Sequence, residues 1–292
     1  VKLDLVYNPS SGGFRRAKLE QLVAALEHFD WAVTLIETRP DGVTLSSDCE
    51  LVCVHGGDGA LRQTVCGLGK RAGKIPICIS PAGTINLVAR ELGYHADPDK
   101  FAVQVAAAWG KGPQRWLRSP LFTFDDMPVL ACMSIGPDSV AVSGVSTSLK
   151  AKIGRYAYVI SAMKMLARWP QDPMPVKAQD VDGRIFEMHG EAVFVARGKF
   201  YAGPFSLSPN SELSASTLEL VVIERSTRLA CLRFALAVMI GRDPAKLGLA
   251  KTFTVKWAEI GDGDLPTQVD GDQVTPVMGR IEPSGQVVRY CV

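Results

Sequence analysis

Two short stretches carry carboxylates in settings where they could do chemistry. The first is Gly56-Gly57-Asp58-Gly59, directly after the apolar run Leu51-Val52-Cys53-Val54. Three glycines around one carboxylate let the backbone turn sharply and let a ligand approach it closely. A helix starting there turns its free N–H groups and positive dipole end toward an anion. A carboxylate beside a phosphate repels it unless a metal ion lies between them, so the stretch suggests a Mg²⁺-nucleotide site. The same letters also make an ordinary turn. The second stretch is Asp270-Gly271-Asp272. An acid there could orient a hydroxyl nucleophile and accept its proton, although Asp-Gly between strands is equally a tight-hairpin signal.

The elements that must position these groups follow from periodicity. Leu3–Tyr7, Trp31–Ile36, Leu51–Val54 and Ile75–Ser80 read as strands, and helical spacing follows the first, third and fourth. Alternating strands and helices predict a parallel sheet. Three strand-to-helix loops result: Asn8-Pro9-Ser10-Ser11-Gly12-Gly13, Gly56–Gly59, and Pro81-Ala82-Gly83-Thr84-Ile85-Asn86. Loops at the carboxyl ends of parallel strands converge on a ligand site. Asp97–Trp109 closes this region as a helix. After Gly110 the pattern changes to short strands, which predicts a mainly antiparallel second domain. The expected architecture is therefore an α/β three-layer nucleotide-binding domain over residues 1–115, then a β-rich, sandwich-type domain over 116–292.

Composition bounds the function classes. A net charge of +2 over 292 residues does not indicate a nucleic-acid binder. Seven cysteines without a C-x-x-C pair suit a reduced, cytoplasmic protein with buried thiols. No signal-peptide pattern is read. The longest apolar run, Leu229–Ile240, contains Arg233 and is too short to span a bilayer. It reads as a helix buried between the domains, with lipid-chain contact as the alternative.

Taken together, Asn8-Pro9-x-Ser11-Gly12, Gly56-Gly57-Asp58-Gly59 and Pro81-x-Gly83-Thr84-x-Asn86, in this order and spacing, resemble the diacylglycerol kinase catalytic-domain family, which includes bacterial soluble lipid kinases, sphingosine kinases and ceramide kinases. The resemblance implies ATP with Mg²⁺ in a cleft between two domains. It implies nucleotide contacts at Asn8, Ser11, Thr38, Gly56, Gly57, Asp58, Gly59, Thr84 and Asn86, with Asp58 acting through the metal or positioning the hydroxyl. Ala60, Arg62 and Gln63 depart from the Thr and Asn-Glu that the family usually carries after its glycine turn.

In the second half, Ser134–Ser139 resembles a segment whose Asp holds the lipid head group in sphingosine kinases. Asp138 therefore stands as a substrate-binding residue or as a turn cap after Pro137. Lys150–Trp169 reads as a basic amphipathic helix, either a solvated face over a buried stripe or a membrane-docking element. Ser216 and Thr217 stand where many bacterial relatives have the Asp-Gly of a second Mg²⁺ site, so that site is expected to be absent or weak. Arg197 replaces a usual Asn. Val269-Asp270-Gly271-Asp272 resembles the family's Val-Asp-Gly-Glu, which implies that Asp270 or Asp272 is the proton acceptor.

The expected function is phosphorylation of the primary hydroxyl of a diacylglycerol-, ceramide- or sphingoid-type lipid by a cytoplasmic, peripherally membrane-associated enzyme. An NAD kinase-like enzyme and a non-catalytic nucleotide-binding regulator are the alternatives. Oligomeric state is not legible in the sequence.

Overall fold

The structure, a computed structural model, describes residues 1–136, 172–201, 203–225, 227–261, 266–274 and 279–292. The chain forms two compact units, Val1–Leu121 with Gly285–Val292, and Phe122–Ser284.

The first unit is a parallel sheet of β1 (Lys2–Tyr7), β2 (Ala32–Glu37), β3 (Leu51–Gly56) and β4 (Ile77–Pro81), in spatial order β4-β3-β1-β2. Every residue of β3 is buried, as its unbroken apolar sequence requires of a strand covered on both faces. Helices α1 (Arg16–Glu27) and α2 (Asp58–Leu68) connect β1 to β2 and β3 to β4. These two crossovers run in opposite directions along the sheet. Right-handed connections therefore put α1 and α2 on opposite faces, and the winding reverses between β1 and β3. Short α3 (Leu87–Glu91) follows β4, and α4 (Pro98–Gly110) starts at Asp97, whose carboxylate accepts from the Lys100 N–H at 3.0 Å. The last residues return to this unit, where the Cys291 N–H donates to Ile77 O at 2.9 Å and Tyr94 Oη donates to Cys291 O at 2.8 Å. The sequence reading did not include that return.

The second unit is antiparallel and closes over an apolar core that includes Phe122, Met133, Val195, Leu220, Val255 and Ile281. Its strands are β5 (Leu117–Phe124, which enters from the first unit), β6 (Met127–Val129), β7 (Cys132–Ile135), β8 (Met174–Asp180), β9 (Ile185–Gly190), β10 (Ala192–Ala196), β11 (Phe200–Tyr201), β12 (Phe205–Ser206), β13 (Leu218–Ile223), β14 (Lys251–Ile260), β15 (Thr267–Val269), β16 (Asp272–Val274) and the start of β17 (Gly279–Tyr290, which belongs to the first unit from Gly285). One run of pairing is β16-β15-β7-β10-β13-β14. β14 pairs with β13 as far as Val255, with β8 from Val255 onward across an irregularity between Val255 and Trp257, and with β17 over Ala258–Ile260. A bulge of this kind turns a strand from one sheet into the next, which is how a sandwich makes its corners.

Helix α5 (Arg228–Met239) is capped by Thr227 Oγ1, which accepts from the Ala230 N–H at 3.2 Å. The expectation that this helix is buried is corrected here. Cys231, Phe234, Ala237 and Val238 are buried, but Leu229 and Ile240 are 64% and 69% exposed. Between β6 and β7, strand pairing is interrupted at Leu130 and Ala131, for a reason that lies in the site.

Candidate functional site

The three glycine-bearing loops meet in the first unit. Gly56 O accepts from the N–H groups of Ala82 (3.0 Å) and Gly83 (3.2 Å), and the Gly13 N–H donates to Ala82 O at 3.0 Å. The packing is close enough to dictate residue type. A Cβ on Gly83 would lie 2.6 Å from Gly57 Cα, and one on Gly12 would lie 2.6 Å from Thr84 Oγ1. The first and second loops leave β1 and β3, the strands between which the winding reverses. In open α/β sheets that reversal point opens a crevice for ligand. The N-cap of α2, Gly57, has no side-chain cap, so the first turn of an 11-residue helix starts from bare backbone. The structure thus brings together Asn8, Ser11, Gly56, Gly57, Asp58, Gly59, Thr84 and Asn86. Thr38, one residue past β2, is tied to the same strand ends by its N–H, which donates to Tyr7 O at 2.9 Å.

Two of these side chains hold the site's shape. Asp58 is buried, and its oxygens accept from the N–H groups of Leu87 (2.8 Å) and Val88 (3.0 Å). It therefore caps α3 and ties the third loop to the second. Asn86, at φ 54°, folds its amide onto Gly83: Oδ1 accepts from the Gly83 N–H at 2.8 Å and Nδ2 donates to Gly83 O at 2.9 Å. Asn tolerates the left-handed region better than most side chains. Thr84 is exposed at the loop tip. Behind the glycines, His55 is 2% exposed, with Nδ1 2.9 Å from Ser80 Oγ and Nε2 without a hydrogen-bond partner. Burial, helped by the charge of Lys18, pushes its pKa down to about 4. Sequence reading passed over this histidine because it sits inside an apolar strand.

In the second unit, β15 and β16 pair Val269 with Asp272 across a two-residue turn, in which Asp270 has φ 51° and Gly271 φ 87°. Positive φ at both positions is the type I′ signature, so the hairpin reading is correct. Chemistry divides the two acids. Asp270 is 5% exposed. Its Oδ1 accepts from the N–H groups of Leu130 (3.2 Å), Ala131 (2.7 Å) and Cys132 (3.1 Å), and its Oδ2 accepts from Leu130 at 3.0 Å. These contacts are why strand pairing stops between β6 and β7: the backbone donors turn to a carboxylate instead. Asp272, two residues on, is exposed. Gln268 Oε1 accepts from the Gly271 N–H at 2.8 Å, and Gln268 Nε2 donates to Ser134 Oγ at 3.1 Å, which fixes the turn to β7.

Arg197 is the residue whose role sequence reading missed. It is 1% exposed, and its guanidinium donates to the carbonyls of Ala215 (3.0 Å), Thr217 (3.2 Å) and Leu213 (3.0 Å). Its Cζ lies 4.5 Å from the centroid of the Phe122 ring. Its own N–H donates to Ala131 O at 2.8 Å, on the peptide segment that Asp270 holds. These oxygens do not fit a second dication. The 213–217 segment supplies no carboxylate, and a guanidinium already takes its carbonyls. The only sequence signal was that Arg stood where relatives carry Asn.

The residues do fit Mg²⁺ carried on a nucleotide. No group of three metal-ligating side chains occurs among the described residues. Mg²⁺ commonly relies on phosphates, waters and one or two carboxylates, and Asp58 is the carboxylate at the glycine turn. Asp138 and the expected basic helix over 150–169 lie outside the described residues.

Comparison with known proteins agrees with this geometry. Residues 2–111 match the diacylglycerol kinase catalytic domain, and residues 131–289 match the YegS C-terminal NAD kinase beta sandwich-like domain. The chain is 24% identical over 233 residues to a diacylglycerol kinase of Staphylococcus carnosus, covering 76% of this chain and 72% of that one. It is 23% identical over 249 residues to a diacylglycerol kinase of Bacillus subtilis, covering 81% and 78%. A solved diacylglycerol kinase structure from Bacillus anthracis superposes with a TM-score of 0.73 at 21% identity, over 99% of this chain and 96% of that one, which establishes the shared fold. With both of its units matched, this chain belongs to the diacylglycerol kinase family of lipid kinases.

Proposed function

We propose that this protein transfers the γ-phosphate of ATP, with Mg²⁺, to the primary hydroxyl of a membrane lipid of the diacylglycerol, ceramide or sphingoid class. The observation that carries the reading is the convergence of three loops into a cradle lined by glycine backbone, beside an uncapped helix start. Phosphoryl transfer asks the protein for positioning and charge stabilisation more than for covalent chemistry. Gly57, Asp58 and Gly59 would hold the phosphates, with Asn8, Ser11, Thr38 and Thr84 alongside. Asp58 and Asn86 keep the loops in register, and Asp58 would be the carboxylate that helps to hold the ion. On the second unit, Asp272 would orient the acceptor's hydroxyl and take its proton, while Asp270 holds the turn. Asp138 would contact the lipid head group. The enzyme would work at a membrane surface as a peripheral protein.

The test is transfer of label from γ-labelled ATP to dispersed diacylglycerol, monoacylglycerol, ceramide and a sphingoid base, with NAD as the control acceptor. One strongly labelled lipid is expected, and it names the acceptor. Labelling of NAD alone would overturn the lipid reading. ATP binding with no labelled product would favour a regulatory protein.

A further inference from the structure

Helix α5 presents two different faces. Its buried side, with Cys231, Phe234 and Val238, packs into the second unit. Its other side carries Leu229 (64% exposed), Leu232 (40%), Leu236 (48%), Met239 (44%) and Ile240 (69%). At 3.6 residues per turn these five fall within an arc of roughly 100°, a continuous apolar stripe turned to solvent. Isolated exposed leucines need no explanation, but a stripe on one helix face does.

Among the described residues of the 224–246 segment, the exposed charges have one sign. Arg225, Arg228, Arg233, Arg242 and Lys246 are all exposed. The two acids of the region are engaged locally: Glu224 pairs with Lys251 Nζ at 2.7 Å, and Asp243 Oδ1 accepts from the Ala245 N–H at 2.9 Å. Arg228 and Arg233 lie on either side of the stripe, where long cationic side chains can reach past an apolar surface to lipid phosphates. A second copy placed face to face would bring like charges together. An anionic bilayer complements both the stripe and its flanks.

We infer that the Leu229–Ile240 face of α5 is a docking surface for an anionic lipid bilayer. This deepens the membrane part of the proposed function and rests on it. The helix would lie in the interface plane rather than cross it, since no helix among the described residues is long and apolar enough to span a membrane.

The experiment is co-sedimentation of the full chain with phosphatidylglycerol-containing vesicles and with pure phosphatidylcholine vesicles, at two salt concentrations. Two variants are compared with the parent: L229Q/L236Q/I240Q, which removes the stripe, and R233E/R242E, which reverses the flanking charge. All substituted side chains are exposed, and a thermal melt confirms folding. The expected result is salt-sensitive binding of the parent to anionic vesicles, weakened at least about tenfold in each variant. Parental vesicle binding by both folded variants overturns the inference, as does a parent that ignores anionic vesicles. A parent that dimerises in solution, with dimerisation lost in the stripe variant, also overturns it in favour of a second copy. The readout is independent of phosphate transfer, so failure here and failure of the kinase reading are distinguishable.

Discussion

Replacing Asp270 and Asp272 by Asn, one at a time, separates the two acids by opposite signatures. In Asp270→Asn the buried anion becomes a neutral amide. One side-chain oxygen keeps part of the cluster at Leu130, Ala131 and Cys132, where the contacts run from 2.7 to 3.2 Å. The new NH₂ group then faces the Leu130 N–H that Oδ2 now accepts at 3.0 Å, so a donor meets a donor. Hydrogen bonds to a charged group contribute about 1.5–3 kcal/mol each, and losing the charge weakens them roughly by half. The expected loss is about 2–4 kcal/mol. In a unit of this size, that lowers Tm by about 5–12 °C. In Asp272→Asn an exposed side chain changes, and stability should stay within about 0.5 kcal/mol of the parent. As the proposed proton acceptor, Asp272 should on removal cut kcat by about 10²–10⁴. The assay is a thermal melt of both variants together with initial rates at saturating ATP and lipid, at a temperature where both are folded. An Asp270→Asn protein as stable as the parent but without turnover would refute the division, as would an Asp272→Asn protein with parental kcat.

Other outcomes follow from the same geometry. Gly83→Ala should destabilise by about 1–3 kcal/mol and raise the KM for ATP, because its Cβ would fall 2.7 Å from Asn86 Oδ1 as well as against Gly57; Gly110→Ala, which meets nothing within 4 Å, is the control. Arg197→Ala should cost about 3–5 kcal/mol by removing the guanidinium from which three carbonyls accept. Chelating Mg²⁺ should leave the parent's melting temperature unchanged in the absence of nucleotide, and a large drop on chelation would show that a structural dication is bound after all. His55 should make stability fall with acid. Its folded pKa of about 4 lies below the unfolded value near 6.5, so between these limits the unfolded state binds the extra proton. The contribution is complete above pH 6.5 and declines by about 1.4 kcal/mol per pH unit as pH falls toward 4. His55→Phe should flatten that part of the profile in urea melts, and an unchanged slope would show that histidine burial is not the cause.

Local chemistry in the sequence determined much of this protein. The apolar run Leu51–Val54 makes a strand buried on both faces, Gly56–Gly59 turns it into a helix, and three such junctions imply a parallel sheet with converging loops, because side-chain period and glycine freedom act over a few residues. Asp270-Gly271 likewise dictates its type I′ turn from its own backbone preferences. Tertiary structure decided what each polar group does. Asp58 and Asn86 read as ligand contacts, yet their partners, Leu87, Val88 and Gly83, show that they also brace the loops. The surroundings of Asp270 and Asp272 diverge because residues 130–132, about 140 positions away, close on one carboxylate and leave the other exposed. Arg197 reaches across some twenty residues to the 213–217 carbonyls, and α5 keeps an apolar stripe that hydropathy alone assigned to the interior. Sequence patterns report burial and turning averaged over a few residues, but which donor meets which acceptor depends on how distant segments close in space.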